Sequence, residues 1–443
     1  MKQKIYSPLL HSVLFTLSII IPGFLTAQRP APGPAQTGSI LLLNGTAHIG
    51  NGQVLERSAI GFRDGKIVLV EDLSQPSAGQ YDFDEVIDIA GKHVYPGFIL
   101  TNTTLGLREV DAVRATLDYQ ETGEMKPEVR SVVAYSTDSK LIPTVRRNGI
   151  LLVQPTPVGG IISGHSGIVH LDAWNWEDAV IRMEDGVHIY WPPSMRIVFP
   201  NENEMAVSKM REERLERLKA LKDLLERASS YRLRDEKEFN LRCESLKGIF
   251  DGTRNVYLHV QTEKDIMESV LYLESIGIKR TVLVGASEGV NILPFIREHG
   301  LPVILDRPHS LPRLEDDDVK QPYRMAKIFW DAGILVTISY EGDMDAMGGR
   351  NLPFTAGTTV AYGLTREQAV QLITLNAANI LGVGQQVGSL ETGKDATLFV
   401  SSGDALDMIT SNVELAYISG RKLTLDSSQE ELYEMYKTKY GIK

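Results

Sequence analysis

Residues 91–104 read GKHVYPGFILTNTT, an apolar run that ends in four polar residues. The run at 98–100 predicts a buried strand, and Asn102 and Thr104 follow at its end. Because side chains alternate between the two faces of a strand, these two residues share one face. Amide and hydroxyl oxygens are weak ligands for a zinc-type ion, which prefers imidazole, thiolate or carboxylate.

A second decisive stretch lies near the other end of the chain, where residues 388–400 read GSLETGKDATLFV. The two stretches resemble the segments that open and close the barrel of amidohydrolases, a superfamily of metal-dependent C–N hydrolases. The resemblance implies an α/β fold: a (β/α)8 TIM-like barrel with a small β-sandwich domain built from both chain ends. In that family two histidines hold metal at the positions of Asn102 and Thr104. The resemblance therefore implies a degenerate metal site, with these two residues as candidate substrate contacts.

Apolar strand patterns alternate with helical patterns between the two stretches, as expected for parallel-barrel units. We expect a β-sandwich at 39–97 and 385–430, a barrel at 98–384 and a C-terminal tail at 431–443. A length of 443 residues fits one barrel of about 250 residues plus a small second domain. The stretch 202–247 breaks the alternation, because it is densely charged and carries leucines at helical spacing. It is interpreted as an inserted helical hairpin, with a solvated face opposite an apolar stripe that contains Leu215, Leu218, Leu221 and Leu225.

Net charge and cysteine content exclude several classes of protein. A formal net charge of −11 argues against nucleic acid and anionic membranes as partners. Cys243 is the only cysteine, so no internal disulfide forms. Its charged, helical surroundings favour a structural role over a catalytic thiolate.

The N-terminus has the order of a secretory signal peptide: a basic end, a short apolar core and small residues. We expect a signal peptide at 1–27 and a linker rich in Pro, Ala and Gly at 28–38. The protein is then exported, to the periplasm or beyond, with no membrane insertion after cleavage. A retained N-terminal anchor is the alternative, although Pro22 and Gly23 interrupt the apolar run.

Candidate metal ligands follow directly after the predicted strands, because active sites of such barrels lie at the carboxyl ends of the strands. His259 ends the strand at 256–260 and matches the histidine of the family's fifth strand. Residues 261–266, which follow it, resemble the next helix of imidazolonepropionase-like members. The alternative for His259 is a satisfied core histidine. Glu288 is the strongest donor after the sixth strand, where many relatives carry a histidine.

The eighth strand matters most, because the family uses an Asp there as metal ligand and proton-transfer base. Aligned on the family pattern, residues 333–341 place Glu341 at that position. Glu341 is thus the candidate catalytic base and, with His259, a candidate ligand of a weak or absent metal site. Asp343 and Asp345 lie close by and substitute if the loop shifts the register. The alternative is a solvated acidic loop.

Three further positions complete the candidate site. The glycine-rich run at 159–167 resembles a loop of the imidazolonepropionase-like subgroup, and its backbone N–H groups are suited to an anionic or carbonyl oxygen. His165 in that run is a candidate substrate contact, with a tight structural turn as the alternative. His309 is a candidate for the barrel mouth. No lysine occurs between Lys140 and Lys209, which argues against the carboxylated lysine that bridges two metals in some relatives.

Two functions follow from these residues. The first is a hydrolase of non-peptide amide C–N bonds, cyclic or linear, that uses at most one divalent, zinc-like ion, with Glu341 as base and His259 as ligand or electrophile. The second is a non-catalytic exported protein that binds a small molecule or pairs with an active amidohydrolase paralogue. Both allow a homo- or hetero-oligomer, and the fold alone does not decide between them.

Overall fold

The computed structural model describes residues 32–75, 81–194, 204–233, 238–313, 316–342 and 344–442. The expected signal peptide at 1–27, the first residues of the linker and Asp343 lie outside these ranges. No helix in the described ranges is both long and apolar enough to cross a membrane.

Strands of the described chain fall into two sheets. They are β1 Ile40–His48, β2 Val54–Arg63, β3 Lys66–Asp72, β4 Glu85–Asp88, β5 His93–Pro96, β6 Phe98–Thr103, β7 Ile150–Pro155, β8 Ile162–His170, β9 Val180–Tyr190, β10 Asn255–Val260, β11 Thr281–Gly285, β12 Val303–Leu305, β13 Val336–Ile338, β14 Leu398–Ser401, β15 Val413–Ile418 and β16 Arg421–Lys422.

Helices lie between the barrel strands and after the last strand. They are α1 Leu141–Arg146, α2 Trp176–Ala179, α3 Glu204–Arg232, α4 Leu241–Ser245, α5 Lys247–Asp251, α6 Glu263–Ser275, α7 Leu293–Glu298, α8 Gln321–Asp331, α9 Asp345–Gly348, α10 Leu352–Ala361, α11 Arg366–Gln371, α12 Ala377–Leu381 and α13 Ser428–Tyr440. Short 3₁₀ turns occupy Arg114–Thr116, Ser131–Ala134, Gly289–Asn291 and Gly349–Asn351, and Leu372–Asn376 form a π-helical turn between α11 and α12.

The first sheet confirms a β domain built from both chain ends. Its strand order is β16-β15-β14-β5-β1-β2-β3, with β4 beside β1. The two ends meet where β14 pairs antiparallel with β5, and Phe399 lies opposite Tyr95. Both rings are fully buried and stack at 5.3 Å between centroids. The closing stretch of the sequence thus completes the sheet that the opening stretch begins.

The second sheet is the barrel, in the order β6-β7-β8-β9-β10-β11-β12-β13. All its neighbouring pairs are parallel except those of β8, which is antiparallel to both β7 and β9. The cause is the short glycine-containing connection at 156–161. A few residues can join only antiparallel strands, whereas a parallel neighbour needs a long crossover. The predicted barrel is therefore confirmed. Its third strand is reversed, which the resemblance in sequence does not imply.

A π-helical turn fills the space between the first and last barrel strands. Thr337 Oγ1 on β13 donates to the Leu372 carbonyl at 2.6 Å, and Asn376 Nδ2 donates to the Val336 carbonyl at 2.9 Å. The same turn contacts β6. These bonds fix the turn to β13, and the turn packs beside β6, so it lies between the strands that carry Asn102 and precede Glu341.

The insertion after β9 is mainly the long helix α3. Leu218, Leu221 and Leu225 are buried, whereas Leu215 is 61% exposed, so the apolar stripe is shorter than the spacing predicts. Arg214 on α3 binds Glu268 of α6 at 2.7 Å, which ties the insertion to the outer helices of the barrel. Cys243 in α4 is buried and unpaired, consistent with a packing residue.

Candidate active site

The candidate site lies at the carboxyl ends of the parallel barrel strands. Two cavities meet there, of about 430 Å³ and about 180 Å³. Glu341 and Gly342, in the loop that follows β13, line both of them. Asn102 and Thr104 line the smaller cavity, and Asp306, which follows β12, lines the larger. Residues from the first, seventh and eighth barrel strands therefore converge on one mouth.

Asn102 holds Glu341 in place. Its side-chain Nδ2 donates to Oε2 of Glu341 at 2.8 Å, and its backbone N–H donates to Oε1 of Gln154 at 3.0 Å. Its backbone φ of +49° is in the left-handed region, which Asn tolerates better than most residues. The side chain at the position of the family's first histidine thus presents an N–H to a carboxyl group.

Thr104 holds a second carboxylate in the same way. Its backbone N–H donates to Oδ2 of Asp345 at 2.6 Å, and its hydroxyl donates to Oδ1 at 2.7 Å. Arg108 Nη1 lies 3.5 Å from the same Oδ1. The structure therefore brings Asn102, Thr104, Glu341 and Asp345 together.

Asp306 completes a group of carboxyls around Glu341. The carboxyl of Asp306 lies close enough to that of Glu341 for each to shift the pKa of the other, and Gln261 Nε2 donates to Oδ2 of Asp306 at 3.2 Å. Burial raises the pKa of Glu341 well above its usual value, and the charges of Asp306 and Asp345 raise it further. Burial also raises the pKa of Asp306. Asp306 is not among the residues predicted from the sequence, although it follows the apolar strand at 303–305 directly, where candidate ligands are expected.

His259 belongs to a buried polar chain inside the barrel. Its Nε2 lies 2.9 Å from Nδ1 of His188, and Nε2 of His188 lies 2.8 Å from the Ser166 hydroxyl. Ser166 donates to Asp185 at 2.6 Å. The ring of Tyr190 stacks on His259 at 3.9 Å. Burial lowers the pKa of His259 to about 3, so its ring is neutral. Within the described ranges, no hydrogen bond joins it to Glu341.

The other predicted residues lie around the mouth or away from it. Glu288 lines the larger cavity, where it pairs with Arg313 at 2.9 Å. His165 is 1% exposed, its Nε2 lies 3.1 Å from the Ser245 carbonyl, and it lines neither cavity. His309 binds the Thr358 hydroxyl at 2.7 Å and lines a separate cavity of about 580 Å³.

Backbone groups of the glycine-rich run are already bonded within the protein. The N–H groups of Ile161 and Ile162 donate to the Glu124 carbonyl, and that of His165 donates to the Val129 carbonyl at 2.7 Å. Residues 162–167 are part of β8. The run acts as a turn and strand, and these three donors are not open to a ligand.

The residues present do not fit a zinc-type ion. Asn102 and Thr104 donate hydrogens to carboxylates, so they direct N–H and O–H groups, not lone pairs, into the mouth. In the part of the chain that the structure describes, no three side chains of His, Cys, Asp or Glu are placed to hold one ion. A zinc site needs about three such ligands and an open position.

Comparison with known proteins matches part of the chain to one family and to one of its members. Residues 236–423 match the model of the amidohydrolase family. Over 86 residues the chain is 34% identical to the imidazolonepropionase of Thermoplasma volcanium; the match spans 19% of this chain and 21% of that protein.

Two solved structures share the fold. An amidohydrolase from Thermotoga maritima aligns with a TM-score of 0.74 at 21% identity, over 87% of this chain and 99% of its own. An adenosine deaminase from Xanthomonas campestris with bound zinc aligns with a TM-score of 0.53 at 16% identity, over 92% and 98%. At these identities the likeness shows the fold, and function must be argued from the site.

Proposed function

Because residues 236–423 match the amidohydrolase family model and the chain has the fold of an amidohydrolase, we propose that it hydrolyses a non-peptide amide C–N bond, cyclic or linear, at a site whose metal ligands are degenerate. One observation carries the proposal: Glu341 borders both cavities of the barrel mouth and is held there by Asn102 at 2.8 Å. A carboxyl group positioned at the end of the eighth strand is the proton-transfer group that the reaction requires.

The reaction needs one proton to move from water to nitrogen. The oxygen of water forms a bond to the carbonyl carbon, the C–N bond breaks, and the water proton passes through a carboxylate to the leaving nitrogen. Asp306 gives Glu341 a second carboxyl as neighbour. Two carboxyls in contact allow one to accept a proton while the other carries one. Asn102 acts as a positioning residue, since it touches Glu341 and fixes its orientation.

The size of the mouth supports a small substrate. Cavities of about 430 Å³ and 180 Å³ lie at the lower end of, or below, the range of about 300–1,000 Å³ usual for small-molecule sites. A reactive bond beside Glu341 is then flanked by one cavity on each side. This arrangement suits a short amide, lactam or ureide.

A substrate panel tests the proposal. The purified protein is incubated with hydantoins, lactams and N-acyl amino acids, and released amine or opened ring is measured by mass spectrometry, with and without added zinc or manganese. We expect turnover of at least one member. Failure of every member under all conditions contradicts the hydrolase proposal.

A second candidate is a non-catalytic exported protein that binds a small molecule or pairs with an active paralogue. It is favoured by the hydrogen bonds that Asn102 and Thr104 make to carboxylates where the family has imidazoles. Binding of panel members, measured by calorimetry without any turnover, supports it. Turnover by the isolated chain rejects it.

A further inference from the structure

Arg307 is the residue at the mouth that the proposed reaction leaves unused. It follows Asp306 directly after β12 and lines the larger cavity together with Glu341. Its side chain therefore reaches the same space as the proposed proton-transfer group.

The guanidinium of Arg307 packs against the loop that follows β13. It lies against the backbone of Gly342, so that a Cβ at that position would be 3.3 Å from its Cζ and Nη2. Gly342 has a φ of +127°, a conformation that favours glycine. The ring of Tyr340 lies 5.6 Å from Cζ and supports the cation from another side. Two residues of the eighth-strand loop, Tyr340 and Gly342, thus place Arg307 beside the loop that carries Glu341.

Arg307 differs from the other arginines at the mouth, because no carboxylate in the described ranges forms an ion pair with it. Arg313, in the same cavity, pairs with Glu288 at 2.9 Å, and Arg108, in the smaller cavity, lies 3.5 Å from Asp345. Across the described ranges, Arg307 has no ion pair with a carboxylate and no hydrogen bond. A guanidinium carries five N–H donors in a fork that matches the two oxygens of a carboxylate.

We propose that Arg307 binds a carboxylate of the substrate, which is therefore a small amide that also carries one acidic group, such as an N-acyl amino acid or a ureide with an acidic side chain. This inference rests on the proposed function for the bond that is cut. A single negative charge fits better than a phosphate dianion, because the carboxyl groups of Asp306, Glu341, Glu288 and Asp317 line the same cavity. Because Arg307 is one cation without a carboxylate partner, it is suited to bind one singly charged anion.

Binding, measured separately from turnover, tests the subsite. Calorimetry compares N-acetylglycine with neutral N-acetylglycinamide, and hydantoin-5-acetic acid with its amide. Wild type is measured beside Arg307→Gln and the matched control Arg313→Gln, whose guanidinium is already paired. We expect wild type and Arg313→Gln to bind at least one acid about tenfold or more tightly than its amide. Arg307→Gln should bind that acid and its amide alike.

Several outcomes overturn the subsite. They are no binding of either acid, equal binding of acid and amide by wild type, and an acid preference that survives in Arg307→Gln. Tighter binding of inorganic phosphate than of either acid rejects the assignment of a monoanion. Turnover is scored apart. If Arg307→Gln loses the acid preference but no protein hydrolyses a substrate, the subsite is supported and the hydrolase proposal is rejected. If hydrolysis occurs without an acid preference, the hydrolase proposal is supported and the subsite is rejected.

Discussion

At the scale of single residues, the side chains of Asn102 and Thr104 are hydrogen-bond donors at the barrel mouth. Each donates to a carboxyl group of the eighth-strand loop, at positions where the resemblance in sequence implies metal-binding histidines. The sequence predicts that these side chains are poor ligands. It does not predict which groups they bond, because Asn102 and Glu341 are separated by 239 residues and meet only when the barrel forms.

Removing the amide of Asn102 should slow the proposed reaction without unfolding the protein. Asn102→Gly suits the test because glycine accepts the φ of +49° at no steric cost. We expect kcat to fall by about 10-fold to 100-fold, because Glu341 loses the group that orients it, while KM changes little. Steady-state kinetics measures both constants, with Thr104→Ser as a control that keeps its hydroxyl. An unchanged kcat in Asn102→Gly contradicts the positioning role.

At the scale of elements, the sequence pattern does not predict the direction of β8. The sequence predicts a glycine-rich loop or turn at 159–167, whereas residues 162–167 belong to β8, whose reversed direction comes from the short connection through Gly159 and Gly160, both of which have positive φ. His165 lies on the face of β8 that contacts α4, where its Nε2 is 3.1 Å from the Ser245 carbonyl, whereas Ser166 on the opposite face contacts His188 inside the barrel. The position of a residue in a glycine-rich run thus does not tell which face of the strand its side chain takes.

His165 should make the protein sensitive to acid. Burial lowers its pKa from 6.5 to about 3, and the nearby charges of Arg254 and Arg130 lower it as well. The unfolded chain takes up a proton below about pH 6.5, whereas the folded state does not until about pH 3. Stability from this group is therefore lost as the pH falls through that window.

Thermal melts of the variant His165→Gln between pH 7 and pH 4 test whether His165 makes stability fall as the pH falls. We expect Tm of wild type to fall more steeply over this range than that of the variant, by a few degrees. Other buried histidines, among them His170 and His259, keep part of the slope in both proteins. Identical slopes in the two proteins contradict a buried neutral His165.

At the scale of the whole molecule, segments before and after the barrel in sequence pair with each other to form the β domain. Residues 91–104 and 388–400 together predict this architecture, and the pairing of β5 with β14 realises it. Phe399 also touches the barrel: a Cβ at Gly149 would lie 2.4 Å from its ring. Local sequence motifs predict that both chain ends form the β domain. They do not predict that Asp306 lies beside Glu341, because this depends on the order of strands around the barrel.

Truncating Phe399 should therefore destabilise both parts at once. Phe399→Ala removes a fully buried ring, and such changes cost about 3–5 kcal/mol. We expect a single cooperative unfolding transition at lower urea, followed by circular dichroism and by tryptophan fluorescence. Phe239→Ala is the matched control, since its side chain is 72% exposed. Two separate transitions in Phe399→Ala would show that the β domain and the barrel unfold independently.

The rate of amide hydrolysis by Glu341→Gln, relative to wild type, shows whether the Glu341 carboxyl transfers the proton. The substitution keeps the shape of the side chain and removes its proton-transfer capacity. The account predicts a loss of about 10²–10⁴ in kcat with Tm unchanged or raised, because a buried carboxyl beside Asp306 is replaced by a neutral amide. Glu274→Gln, on the outer helix α6, should retain the wild-type rate. Full activity in Glu341→Gln would contradict the account.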